Sequence, residues 1–160
     1  MNNTISLAFF LLAVFAAAVL GAGYEAGSWY QTLSKPPWAP PDWLYGPVWA
    51  VVYVLMAVAA WTVWNSGRSV RIGAITWWLI LLLLIFCWSW IFFGLNRTGW
   101  AVGLAIVLFG LSIMCCRAFF LVSRSAGVML LPLTGWLMFF AYLNYAFWTM
   151  NAGGFGTIFG

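Results

Sequence analysis

The sequence predicts an all-α integral membrane protein: one bundle of five transmembrane helices with a Pro/Trp-rich loop between the first two. Three observations predict it. Five apolar runs are each long enough to cross a bilayer, they carry almost no charge, and charged or proline-rich breaks separate them. Of the 160 residues, 66% are hydrophobic and 5% charged, and the mean hydropathy is +1.04. Soluble domains carry roughly 25% charged residues because water has to be met by something polar. Six basic and two acidic side chains cannot cover a protein of this length. The surface is therefore built for lipid.

The first run, about 4–22, is uncharged. Small residues follow it at Gly21, Ala22 and Gly23, as after a signal peptide, but it lacks a basic leader and spans about 30 Å as a helix. It is expected to remain as a span. Tyr24 to Asp42 is the long polar stretch, with Glu25, Lys35 and Asp42 and prolines at 36, 37, 40 and 41. Proline lacks the amide donor and restricts the residue before it, so no long helix passes through. A short helix fits at Ser28–Ser34. Trp29, Tyr30, Trp38 and Trp43 suit an interfacial aromatic belt.

The second span is expected at 43–64, with Pro47 in its first turns, and the third at 73–93. The fourth follows at 99–121 and the fifth at 127–151, with Pro132 early in it. Arg68 and Arg71, then Arg97, then Arg124 punctuate the breaks, and Arg117 can snorkel from the end of the fourth span. The tail 152–160 is glycine-rich and expected to be loose. No long internal repeat or second domain is visible, so residues 1–160 read as a single unit. Arginines collect on the side of the N-terminus, which favours that side as cytoplasmic.

The same composition narrows the chemistry. The net charge of +4 lies in the breaks, which points to anionic headgroups and not to nucleic acid. Cys87, Cys115 and Cys116 sit inside apolar runs and read as packing residues. No histidine is present, so the commonest general base and haem ligand are missing, and no metal site is expected. The spans contain no acid, so a conventional acid–base or nucleophile–base pair cannot be assembled within the membrane. Reactive candidates reduce to the thiols, Tyr53, Tyr142 and Tyr145, with Glu25 and Asp42 in the loop. Proton-coupled efflux lacks its intramembrane carboxylate.

Helical spacing gathers some residues on common faces. Trp49, Tyr53, Met56 and Ala60 share one face of the second span, and Trp136 and Phe140 share one of the fifth. Facing inward, they would wall a site for a flat ligand, although ordinary core packing uses the same residues. Trp61, Trp64, Trp77 and Trp100, near span ends, read as belt residues. Asn144, Trp148 and Asn151 form a stripe, and an amide inside lipid needs a partner on another helix. Ser89 can bond back to its own preceding turn. Gly99 and Gly103, or Ala17 and Gly21, permit close helix approach within the bundle or to a second copy.

The loop reads Trp29-Tyr30, then Lys35-Pro36, Trp38-Ala39-Pro40-Pro41-Asp42-Trp43 and Pro47-Val48-Trp49. Trp88-Ser89 and Phe92-Phe93-Gly94 follow, then Leu131-Pro132, Trp136, Leu143-Asn144, Trp148 and Asn151. In order and spacing this resembles the tryptophan-rich sensory protein (translocator protein) family from about Trp29 to Asn151. The resemblance implies a five-helix bundle, often a homodimer, that binds porphyrins and other planar apolar ligands between its helices beneath the first loop. Eukaryotic members are associated with cholesterol, and some bacterial members with light-dependent porphyrin breakdown.

Carried onto this chain, the resemblance implies a pocket lined by Tyr30, Trp38, Pro40, Trp49, Tyr53, Trp88, Ser89, Phe92, Trp136, Phe140 and Asn144, with the proline-rich loop as lid. Porphyrin would be a ligand, with no resident cofactor. A light- or oxidant-driven degradation would draw on Trp49 and Trp136. Several positions depart from the family pattern. Leu81 and Ile85 replace a polar Gln and Asn, Leu133 replaces a Tyr, and no Lys or Arg follows Tyr145 to complete a sterol pattern. Phe140 stands where a small residue usually opens the pocket, so a closed core with a structural or regulatory role is the alternative expectation.

Overall fold

The computed structural model describes residues 3–23 and 27–151. Glu25 and the glycine-rich tail lie outside the described residues. Five long helices are apolar and long enough to cross a membrane, and the chain is a multi-pass integral membrane protein. The elements are α1 (Asn3–Ala22), α2 (Ser28–Thr32), α3 (Asp42–Trp64), α4 (Arg71–Ser89), a π-helical turn (Trp90–Gly94), α5 (Thr98–Val122) and α6 (Arg124–Asn151). The short loop helix is one turn of the stretch expected to 34, because Leu33 is already extended ahead of the prolines.

The boundaries shift where local hydrogen bonding decides them. A turn from Arg68 to Arg71 lets α4 start two residues early. Only Ser123 separates α5 from α6, and its carbonyl already accepts from the Gly127 amide. The expected third span is not α-helical throughout: after Ser89 it widens into the π turn, closed by the Leu95 amide on the Trp90 carbonyl at 2.9 Å. Asn96, at φ 55°, then reverses the chain, a conformation asparagine tolerates better than most residues.

Helix contacts close a ring: α1 on α3, α3 on α6, α6 on α5, α5 on α4 and α4 back on α1. Lipid takes the place of water outside that ring. Leu12, Phe15, Leu83 and Leu121 are each at least 60% exposed, a surface that would aggregate in water. At one end of the ring Trp78 is fully buried, donates its indole N–H to the Met56 carbonyl at 3.1 Å and meets Phe10 edge-on. That places Met56 and Ala60 in the solid core, so the aromatic face of α3 divides, with only its Trp49–Tyr53 end reaching open space.

The small-residue pairs divide too. Gly21 packs against Ser89 of α4, where an added Cβ would lie 3.3 Å from the hydroxyl, whereas Gly103 is exposed with nothing near it. The closest constraint is at the α5–α6 corner. Gly127 lies against the Phe120 ring, so a Cβ there overlaps the ring, and its carbonyl accepts from the Cys116 thiol. Gly127→Ala is expected to lower stability by about 1–3 kcal/mol, read as a lower unfolding midpoint in detergent. Adding Phe120→Ala should restore most of that loss.

Candidate functional site

At the other end of the ring, beneath α2 and the proline loop, the helices enclose a cavity of about 440 Å³. Every helix contributes to its wall. From α3 come Asp42, Tyr45, Gly46, Trp49, Ala50 and Tyr53; from α4 and the π turn come Ile85, Trp88, Ser89, Phe92 and Phe93. Phe140, Leu143, Asn144 and Phe147 line it from α6, Leu108 from α5, and Tyr30 closes the loop side. Ala18, Gly21 and Ala22 of α1 complete the ring opposite. The wall is thin there, built of small side chains with Ala22, Gly46 and Ala50 exposed.

α4 and α6 are bridged by side chains here. The Trp88 indole N–H donates to Asn144 Oδ1 at 3.2 Å, and the Asn144 amide donates to the Phe140 carbonyl at 2.8 Å. Both residues are buried, so each satisfies a group that lipid could not. The π turn then stacks Phe92 on Trp88, with centroids 5.0 Å apart and planes 18° off parallel. An α-helical continuation would rotate Phe92 and Phe93 away from that register, and π turns recur at functional sites.

Phe140 meets Trp88 edge-on at 4.4 Å and Trp49 at 5.8 Å, and forms a wall of the cavity. On its far side lies Trp136, stacked at 6.5 Å. Trp136 is therefore one ring behind the lining, packed against Phe139 and Tyr45. The expected set divides accordingly. Tyr30, Trp49, Tyr53, Trp88, Ser89, Phe92, Phe140 and Asn144 are brought together on the cavity, whereas Trp38, Pro40 and Trp136 are not on its wall. Trp38 instead lies flat on Tyr142 of α6, 4.9 Å between centroids and 17° between planes, on the outer flank of the bundle.

Sequence reasoning gave Tyr45, Leu143 and Phe147 no place on the cavity, and named Asp42 only as a reactive loop group. Their signal was present as helical spacing: 42, 45, 49 and 53 on α3, and 140, 143, 144 and 147 on α6. Tyr45 matters most. Its hydroxyl is buried and has no hydrogen-bond partner among the described residues.

The loop is tied down at three points. Asn151, at the end of α6, accepts from the Ser34 amide at 2.8 Å and donates to the Ser34 carbonyl at 3.0 Å, replacing a backbone pair the prolines cannot form. Lys35 pairs with Asp42 at 2.8 Å and lies 4.1 Å from the Tyr30 ring centre. The Tyr30 hydroxyl donates to Asp42 at 3.2 Å. Burial, reinforced by the Asp42 charge, pushes the Tyr30 phenol above its ordinary value, so it stays a donor throughout the physiological range. Asp42 itself stands in the first turn of α3, where the helix dipole favours an anion.

Residues 7–149 match the model of the TspO/MBR family. The chain belongs to that family. It is 32% identical over 158 residues to Protein CrtK of Rhodobacter capsulatus, covering 96% of both chains. It is 33% identical over 138 residues to the translocator protein of Bos taurus, covering 82% of each. The tryptophan-rich protein TspO of Archaeoglobus fulgidus matches at 32% over 156 residues, with 94% of this chain and 99% of the relative covered. The family match agrees with the ring of five spans.

Two outcomes test this geometry. Asn144→Leu removes the acceptor for a buried indole and should cost about 0.6–1.7 kcal/mol, the range for hydrogen bonds between membrane helices, seen as a lower midpoint and a shifted Trp88 indole resonance. Lys35→Met removes an exposed ion pair worth about 0.2–1 kcal/mol. Asn151→Leu should therefore accelerate hydrogen exchange at the Ser34 amide more than Lys35→Met does.

Proposed function

We propose that the cavity binds a flat, largely apolar ligand of the porphyrin class, and that the protein acts as a membrane receptor or carrier for it. The observation that carries this reading is the wall itself. Trp49, Trp88, Phe92 and Phe140 present ring faces and edges around about 440 Å³, within the roughly 300–1,000 Å³ of small-molecule sites. Stacking and area burial are the forces such a wall supplies. Tyr45 lines that wall and its hydroxyl is buried with no partner among the described residues; turned toward the cavity, it would donate to one acceptor of the ligand. An unpaired hydroxyl in an apolar setting costs about 1–3 kcal/mol, a cost that a ligand acceptor offsets.

Binding is favoured over degradation by the position of Trp136. It lies behind Phe140, so only Trp49 of the two indoles suited to light-driven oxidation faces the cavity. The departure at Phe140 is read here as a reshaped pocket, since the ring forms a wall and open volume remains beside it.

Dark titration of the purified protein with protoporphyrin, followed by tryptophan quenching, tests the reading. Saturable binding is expected. Trp49→Ala should weaken it at least about tenfold, by loss of one buried aromatic face worth about 1.5 kcal/mol or more, and Tyr45→Phe should weaken it by less. Trp136→Phe should change it little. Absence of saturable quenching in a folded wild type, or loss in Trp136→Phe equal to that in Trp49→Ala, contradicts the assignment. Illumination of the complex should return porphyrin unchanged.

A further inference from the structure

The face of the bundle opposite the loop carries a second recess, between the α3–α4 and α5–α6 connections, and no acid among the described residues lines it. Its volume is about 630 Å³, and it is lined by polar groups of Ser66, Arg68, Ser123 and Arg124, with Trp61 and Phe120 at its apolar edge. We propose that this recess binds the phosphate group of an anionic membrane lipid, with Arg68 and Arg124 as the charged contacts.

Charge placement is the first argument. The sequence has two acids, Glu25 and Asp42, and Asp42, the one among the described residues, starts α3 at the other end of the bundle. Arg68, Arg71, Arg117 and Arg124 all belong to this end, and no acid among the described residues stands with them. Arg71 is already engaged: it donates to the Trp64 carbonyl at 3.2 Å and lies over the Trp64 ring. Arg68 is held across the recess by one bond, Nη1 to the Leu121 carbonyl at 3.2 Å. A guanidinium has five N–H donors in a planar fork, and that bond uses one of them. The held group suits bidentate recognition of a phosphate.

Chain direction is the second argument. α6 starts at Arg124, directly after the extended Ser123, so the first turn of a 28-residue helix opens beside the recess. That end of the helix carries partial positive charge and favours an anion, while the opposite dipole at the end of α5 is met by Arg68 on the Leu121 carbonyl. The Ser123 hydroxyl is paired with that of Ser125 across 2.9 Å, where either can be the donor.

Depth selects the lipid source over a free phosphate. α3 ends at Trp64, α5 at Val122 and α6 begins at Arg124, so the recess lies where membrane spans end and headgroups begin. Trp61 and Phe120 give the upper part of an acyl chain an apolar contact, which a soluble anion would not use. A choline headgroup, with its own positive charge, is disfavoured beside two arginines.

Native mass spectrometry tests this on the full chain, released from micelles holding equal amounts of phosphatidylglycerol and phosphatidylcholine with the same acyl chains. Wild type should retain phosphatidylglycerol preferentially. Arg68→Gln with Arg124→Gln should cut that retention about tenfold, by loss of two charge-assisted contacts. Arg97→Gln with Arg117→Gln removes the same net charge outside the recess and should change retention by less than about twofold. Arg68→Lys with Arg124→Lys keeps the charge without the fork and should give an intermediate loss of about threefold. Excess inorganic phosphate should not displace the lipid. Equal losses in the two glutamine pairs, no preference in wild type, no loss in the lysine pair together with the glutamine pair, or displacement by inorganic phosphate would each overturn the assignment.

Discussion

The hydrogen bond from Trp88 to Asn144 is the interaction on which the cavity depends. α4 and α6 are not direct neighbours in the ring of helices, and something has to span the gap between them. Most side chains that large would fill it. An indole and a carboxamide joined head to head instead bridge it at one level and leave open volume beside the bridge. Lipid enforces the pairing, since neither group has water as an alternative partner. Phe140 and Phe92 then pack on the bridge from either helix, and the π turn is the backbone adjustment that brings Phe92 into stacking register.

The two ends of the bundle solve different problems with few charged residues. At the loop end, Asp42 accepts from Tyr30 and pairs with Lys35, while the Asn151 side-chain amide supplies partners for both the N–H and the carbonyl of Ser34. Each of the four prolines lacks an amide donor, so the loop's own backbone bonds are short turns, such as the Ala39 amide on the Pro36 carbonyl at 2.9 Å. Exposed ion pairs contribute little, so the backbone-directed contacts of Asn151 and the stacking of Trp38 on Tyr142 carry more of the closure. At the opposite end the arginines serve helix ends, and only part of their hydrogen-bonding capacity is used by the protein.

How far the molecule was legible in its sequence follows from what sets each feature. Spans are set by bulk hydropathy over about twenty residues, and four of the five expected spans are α-helical throughout, to within three residues at either end. The third gave way to the π turn, because hydropathy is blind to which helical form a turn takes. Cavity-lining residues on helices were legible as faces, as with Trp49 and Tyr53. Depth along a face was not: Met56 and Ala60 continue the Trp49 face but meet Trp78, and Trp136 continues the Phe140 face but is screened by Phe140 itself. Trp38 and Pro40 lie in irregular backbone, where no periodicity says which way a ring turns. The packing partner that turned Trp38 outward was Tyr142, 104 positions away in sequence.

Fluorine NMR of protein labelled with 5-fluorotryptophan, titrated with protoporphyrin in the dark, tests the central claim most directly. Resonances assigned through single Trp→Phe variants report each indole separately, and a porphyrin ring current acts over a few ångströms. The account predicts large shifts at saturation for Trp49 and Trp88, a smaller one for Trp136 behind Phe140, and none for Trp61 at the arginine end. Shifts centred on Trp61 or Trp100, or saturation without movement of Trp49 and Trp88, would contradict it.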